Sequence, residues 1–391
     1  YQKGDCIMSH TFRPTWAEIN LDHVKANYNN IRKLLKPETK FCAVIKANAY
    51  GHGAVQYAKV LEKEGADYFA VAVCEEALEL RQNSITKPIM CLGYVPEDRF
   101  KDMMQNNVDI TIYSYEKAAL LSQIAKENNL NAKIHIKLDS GMSRLGLQCN
   151  NEAVDEILKI STLENLEIVG IFTHFALADD KDLSYTHEQY KNYSFVVNEL
   201  ETKGLKIPIK HVCNSAATMM LPEYHLDMVR PGIILYGHYP SDDVDKSKVK
   251  LYPAMALKST VAHVKKLEEG RGISYGHKYR SKENEIIATI PIGYADGFTR
   301  MLSGQADVKV NDKMVPVVGR ICMDQCMLSL EEEAKVGDQI TIFSDEEGMD
   351  IERFAQRLGT INYELLCMVQ RRVPRVYKED GKIIKVQDYL I

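Results

Sequence analysis

The sequence lacks any apolar run approaching the ~20 residues that a membrane helix requires, and its first residues, YQKGDCIMSHTF, lack the apolar core of a secretory signal. A dominant charge is missing as well. Forty-nine basic and 54 acidic residues leave a formal net charge of −5, which gives no reason to expect nucleic acid or an anionic membrane as partner. The nine cysteines stand singly along the chain. Cys322 and Cys326 come nearest to a pair, but no second pair or flanking histidines complete a zinc pattern, so reduced thiols in a cytoplasmic protein and no metal are expected. Tryptophan occurs once, at Trp16, and reads as a core residue.

What is present is an ordinary globular composition, 45% hydrophobic and 26% charged, in a 391-residue chain long enough for two domains. The first two-thirds alternates β-rich runs with amphipathic segments. FCAVIK (41–46), YFAVAV (68–73), PIMCL (88–92), DITIY (109–113), KIHIKLD (133–139), EIVGIFTH (167–174), IKHVCN (209–214) and DMVRPGI (227–233) read as strands. AVQYAKVLEKEGA, YEKAALLSQIAKENN and NEAVDEILKISTL carry apolar residues at helix spacing. Strands alternating with helices predict an α/β fold with a parallel sheet, and eight such units suit an N-terminal (β/α)8 barrel; a doubly wound open sheet is the alternative. PSDDVDKSKVK (240–250) reads as a linker, and β-like runs without long helices follow it. The expected division is a barrel over 1–245 and a C-terminal mainly-β domain over 246–391, with the strand near 14–20 open to either.

Reactive groups of a barrel sit at the C-terminal ends of its strands and in the loops beyond. Lys46, Lys137, Arg144, His174, Asn214, Ser215 and Arg230 all fall there. Lys46 precedes small residues and two glycines, which admit a ligand or a close backbone. It is either a snorkelling lysine or an amine poised to form a Schiff base. In KIHIKLD, alternation puts His135, Lys137 and Asp139 in the barrel interior, so Lys137 must pair with Asp139, meet another acid or be modified. Ser215 with the amides of Gly232 and Ile233 offers a phosphate cradle, although Ser215 also reads as a helix cap. Tyr275 and Tyr294 lie beside glycines, as packing groups or as bases, and Met323 in GRICMDQC is equally open.

Taken in order, AVIKANAYGHG, DSGMSRLG, VRPGIILYG, SYGHKY, GYADGF and GRICMDQ resemble alanine racemase, a fold-type III family dependent on pyridoxal phosphate. The resemblance runs from TWAEINLDH to INYELLC. It implies that Lys46 is the Schiff-base lysine and that Lys46 and Tyr275 are the two bases, acting on D- and L-alanine respectively. It links Tyr275 through His174 to Arg230, which would face the pyridine nitrogen and keep it unprotonated. Arg144 corresponds to the residue binding the cofactor phenolate and the substrate carboxylate, and Lys137 to a position carbamylated in many members. Phosphate would be held by Tyr50, Ser215, Gly232, Ile233 and Tyr363. Met323 corresponds to a residue whose backbone touches the substrate carboxylate, and Tyr294 to one lining the entrance. In the family Tyr275, Tyr294 and Met323 reach the partner subunit's site, which implies a homodimer. Where many relatives carry glycine and alanine, this chain has Ser143 and Cys213. The rival readings are a serine or broad-specificity racemase, a barrel decarboxylase that uses the same cofactor, and a non-catalytic pyridoxal phosphate carrier. A decarboxylase pairs the ring nitrogen with glutamate where this chain has Arg230, and a carrier lacks the C-terminal domain.

Overall fold

A computed structural model describes residues 13–332 and 334–391; the stretch YQKGDCIMSHTF lies outside the described residues. The chain forms two compact units, one of Val24–Ala49 with Ala54–Tyr252, the other of the residues up to His23 with Tyr50–Gly53 and Pro253–Ile391.

In the first unit eight parallel strands follow one another in space: Lys40–Val44, Tyr68–Val71, Ile89–Cys91, Val108–Ile112, Ala132–Asp139, Leu166–Phe172, Ile209–His211 and Met228–Val229. The last strand returns to the first through the pairs Met228↔Lys40 and Val229↔Phe41. Between the seventh and eighth strands Asp227 N donates to Lys210 O at 3.1 Å, and Arg230 N to Cys213 O at 2.9 Å. An open doubly wound sheet has no such return, so the arrangement is a near-closed barrel. Its helices bury one stripe each. In Ala54–Glu64 the buried residues are Ala54, Tyr57, Ala58 and Leu61, at the i, i+3, i+4, i+7 spacing. Ser114, Asn150 and Asn214 cap their helices by accepting the backbone N–H of Lys117, Ala153 and Ala217.

This unit extends through Tyr252. Beyond the polar linker, Tyr239 Oη donates to Val249 O at 2.9 Å, and Asn27 and Tyr252 exchange two hydrogen bonds of 2.8 Å.

The barrel interior is polar near its axis. His135 and His211 have no exposed surface, and Phe172 stacks on His211 with centroids 4.8 Å apart at 6°. A register shift between Ile134 and His135 lets the wider strand follow its neighbour, and His135 then pairs with Gly170. A Cβ on Gly170 would lie 2.1 Å from His135 Nδ1, so the glycine makes room for the ring.

In the second unit a ten-stranded sheet begins and ends on hairpin-like edges. Thr15–Asn20 belongs to it, antiparallel to Met255–Thr260 and parallel to Arg375–Glu379. Among the described residues of this unit, only two α-helices follow its central strands, Glu352–Leu358 and Asn362–Met368, so it is mainly β. Arg375 is fully buried and ties loops together: Nε donates to Gly51 O at 2.8 Å and Nη2 to Val369 O at 2.7 Å. Tyr377 Oη donates to His52 O at 3.0 Å. Gly53 beside it has φ +97°, and a Cβ there would lie 1.8 Å from Tyr377 Oη.

Two predictions follow from this packing. Gly53→Ala should cost about 2–4 kcal/mol, combining left-handed strain with the collision against Tyr377. The cost would appear as a lower urea midpoint, and an unchanged midpoint would mean that the loop relaxes freely. His211 and His225 are held neutral, chiefly by burial, with pKa values below the ordinary 6.5. Unfolded histidines take up protons below about pH 6.5 while these do not. Stability should therefore be flat above that pH and fall below it, by up to ~1.4 kcal/mol per pH unit for each histidine. Denaturation midpoints at pH 7.5, 6.5 and 5.5 check this; equal midpoints throughout would contradict it.

Candidate active site

The first barrel strand stops at Val44, before the lysine that the sequence placed inside it. Ile45 N still donates to Ala70 O at 2.9 Å, and the backbone then turns left-handed. Ala47, Asn48, Ala49 and Tyr50 have φ of 52°, 54°, 52° and 49°, and Gly51 follows at 83°. Left-handed conformation costs an L-residue about 1–2 kcal/mol, least for asparagine, and small side chains limit the crowding. Three bonds hold the turn. Ala47 N donates to Glu76 Oε1 at 2.6 Å, Ala49 N to Ile45 O at 2.9 Å, and Ala54 N to Asn48 Oδ1 at 3.0 Å. Lys46, half-buried at the head of this strained run, is fixed at the strand's end.

Around it the barrel gathers positive charge. His174 lies within the fields of Arg230, Lys137, Arg144 and Lys46; burial first, then these cations, lower its pKa well below the ordinary value. Lys137 is buried with its Nζ over the Phe172 ring, 4.8 Å from the centroid, and makes no hydrogen bond. Burial, then Arg230 and Arg144, push its pKa far down. The pairing with Asp139 that the strand pattern left open is not formed; Asp139 Oδ1 instead accepts Gly141 N at 3.0 Å and Ser143 N at 2.9 Å. Those bonds shape the DSGMSRLG turn, in which Ser143 takes φ 55° and Arg144 is exposed. Glycine would occupy that position without strain.

Arg230 is buried, and both of its Nη groups are engaged. Its Nη1 donates to His211 Nδ1 at 2.7 Å and His211 O at 3.0 Å, and its Nη2 to Thr173 O at 2.7 Å and Val212 O at 3.2 Å. None of these acceptors is a carboxylate, and burial brings its pKa down to about 10. Nearby, Ser215 Oγ accepts Gly232 N at 2.8 Å, and Ile233 opens a short 3-10 turn. Ser215 begins the helix Ser215–Met220, but the cap is Asn214, which leaves the serine hydroxyl to the Gly232 loop.

The remaining expected residues belong to the mainly-β unit. Tyr50 is buried and its ring lies 6.0 Å from that of Tyr363. Tyr275, Tyr294 and Met323 are joined through one segment. Tyr294 N and Ala295 N each donate at 3.0 Å, to Cys322 O and Met323 O. Ser274 Oγ, preceding Tyr275, donates to Arg320 O at 2.6 Å. The three side chains are exposed, at 69% for Tyr275, 40% for Tyr294 and 53% for Met323, although all three are of types that usually avoid water. Tyr275 also borders a cavity of about 560 Å³ between Leu267, Ile273 and Ile287.

Sequence reasoning passed over Glu76, which anchors the lysine turn, and His211, which receives Arg230. The alternation of IKHV, with histidine on the same face as the interior of KIHIKLD, was the available signal for His211. Glu76 left no such trace.

Family models match both parts of the chain: the alanine racemase N-terminal domain over residues 19–240 and its C-terminal domain over 254–377. Alanine racemase 1 of Clostridium acetobutylicum is 47% identical over 97% of this chain and 99% of its own length. Alanine racemase of Methanococcus maripaludis is 50% identical over 93% of this chain and 98% of its own. Among solved structures, alanine racemase of Clostridium difficile 630 superposes with a TM-score of 0.94 at 52% identity, covering 97% of this chain and 99% of that one. The Bacillus anthracis alanine racemase with bound L-Ala-P gives 0.93 at 37% identity, covering 98% and 99%. With both domains matched in order and relatives similar over nearly the whole chain, this chain belongs to the alanine racemase family.

Proposed function

We propose that the chain interconverts L- and D-alanine with pyridoxal 5′-phosphate as cofactor. It would work in the cytoplasm as a homodimer and supply D-alanine for the cell wall. The reaction is supported by relatives named alanine racemase that match nearly the whole chain. Cysteines at eight described positions, none in a disulfide, suit a reducing compartment. The observation that carries the cofactor is charge. Arg230, Arg144 and Lys46 all act on His174, while Asp139 Oδ1 accepts two backbone amides. Such a site fits a group bearing a phosphate and a phenolic oxygen, together with a substrate carboxylate.

When bound, the cofactor supplies an electron sink that acidifies the alanine Cα–H. The chain's own residues then divide the work. Lys46, held by its strained turn, anchors the cofactor and moves the proton on one face of Cα; Tyr275 moves it on the other, and His174 links that tyrosine to Arg230. Arg230, a donor with no proton to give up, is assigned to the ring nitrogen and keeps it unprotonated. A decarboxylase of similar architecture would need an acid in its place. Arg144 binds the substrate carboxylate, oriented by a carbamylated Lys137, a modification that would give the unpartnered Nζ both a negative charge and acceptors. Ser215, Gly232, Ile233, Tyr50 and Tyr363 are the phosphate ligands. Tyr275, Tyr294 and Met323 of each subunit serve the other's site, and their exposure supports that reading.

A chiral assay of the purified protein with L-alanine, L-serine and L-lysine tests the proposal directly. Cofactor-dependent D-alanine with little D-serine is expected. D-serine at a comparable rate would mean broad specificity, and amine with carbon dioxide a decarboxylase. Lys46→Ala should abolish the visible absorbance of covalently bound cofactor. Tyr275→Phe should slow Cα–deuterium exchange from L-alanine by about 10²–10⁴, far more than exchange from D-alanine. Equal losses for the two enantiomers would refute the assignment of the two bases.

A further inference from the structure

Five groups inside the barrel form one hydrogen-bonded line. Arg230 Nη1 donates to His211 Nδ1 at 2.7 Å, and His211 Nε2 lies 3.0 Å from His135 Nδ1. His135 Nε2 is 3.3 Å from Asp109 Oδ2, which also accepts Tyr68 Oη at 2.6 Å. Arg230 and Asp109 are each 3% exposed and both imidazoles 0%, so no solvent repairs a mismatch along the line.

Its direction is set at one end. A guanidinium only donates, so His211 Nδ1 must accept and its single proton sits on Nε2. That proton points to His135 Nδ1, which must also accept, leaving the His135 proton on Nε2, aimed at the Asp109 carboxylate. The opposite direction would set two donors against each other at Arg230. The line is also specifically built. The bulge at Ile134/His135 and the missing Cβ of Gly170 seat the His135 ring, and Phe172 packs on His211 in parallel and on His135 edge-on at 6.4 Å.

We infer that Asp109 is a positioning residue for Arg230. Through two neutral imidazoles it places a negative charge behind a cation whose own acceptors are all uncharged, and it supplies the acceptor that completes the order of donors Arg230 sets. Resting on the assignment of Arg230 to the cofactor's ring nitrogen, the line then tunes how the enzyme divides between racemisation and the abortive reaction in which cofactor aldehyde and alanine become cofactor amine and pyruvate.

The first test needs no variant and no cofactor. Protein labelled with nitrogen-15 at histidine should show His135 and His211 neutral and protonated on Nε2, in both the unloaded and the loaded protein. A proton on Nδ1 of either residue, or two protons on one of them, overturns the inference. Asp109→Asn then removes the charge and offers His135 either an acceptor or a donor. Expected are a second, Nδ1-protonated histidine population and about tenfold more pyruvate released per racemisation turnover, equivalent to one pKa unit at the ring nitrogen. Tyr68→Phe keeps the carboxylate and should leave the histidine order unchanged and the pyruvate ratio within about twofold. An unaltered ratio in Asp109→Asn, or equal shifts in both variants, would reduce the line to packing. Should the parent protein fail to racemise alanine, the functional reading falls, while the histidine protonation pattern still decides the line.

Discussion

Arg230 is a full positive charge close to the axis of a barrel, and much of the barrel's interior is arranged to tolerate it. Removing a guanidinium from water is costly unless every donor is met. Here the carbonyls of Thr173, His211 and Val212 and one imidazole nitrogen meet it, and no carboxylate is among them. The consequences spread outward. Arg230 is among the influences that keep His174 and His211 neutral and that press the proton off Lys137. A protein with only a fold to maintain would gain by replacing such a cation with an apolar side chain. Retaining it makes sense where an anionic, electron-demanding guest completes the site.

The barrel was readable because its strands are short β-rich runs separated by helices with a single apolar stripe, a local pattern that tertiary packing did not overrule. Lys46, Arg230 and Ser215 were readable as polar residues recurring at strand ends. The lysine turn was not, since alanine and asparagine say nothing locally about a left-handed run; contacts from Glu76 and Ala54 impose it. Nor was the grouping of Tyr50–Gly53 with the mainly-β unit. That grouping depends on Arg375 and Tyr377, more than three hundred residues downstream. The boundary near residue 245 followed composition; the hydrogen bonds of Asn27 with Tyr252 and of Tyr239 with Val249 leave no mark in composition. Alternation put Lys137 and Asp139 on one face, but it could not reveal that Asp139 Oδ1 accepts two backbone amides while Lys137 Nζ has no hydrogen bond.

The mainly-β unit supplies a different kind of order. Its strands position three loops whose tips, Tyr275, Tyr294 and Met323, share the backbone of Arg320–Met323. Gly293 makes that docking tight, since a Cβ there would lie 2.3 Å from the carbonyl oxygens of both Cys322 and Met323. Rigid mounting of exposed aromatic groups suits residues that act on something brought to them.

The left-handed run after Lys46 has an evolutionary consequence. Each position from Ala47 to Gly51 is bound by backbone geometry as well as by chemistry. β-Branched side chains are disfavoured there, and a one-residue insertion would rotate the lysine off its strand. Few substitutions within the run are therefore open to a lineage, and changes in how Lys46 is held fall to positions outside it, such as Glu76.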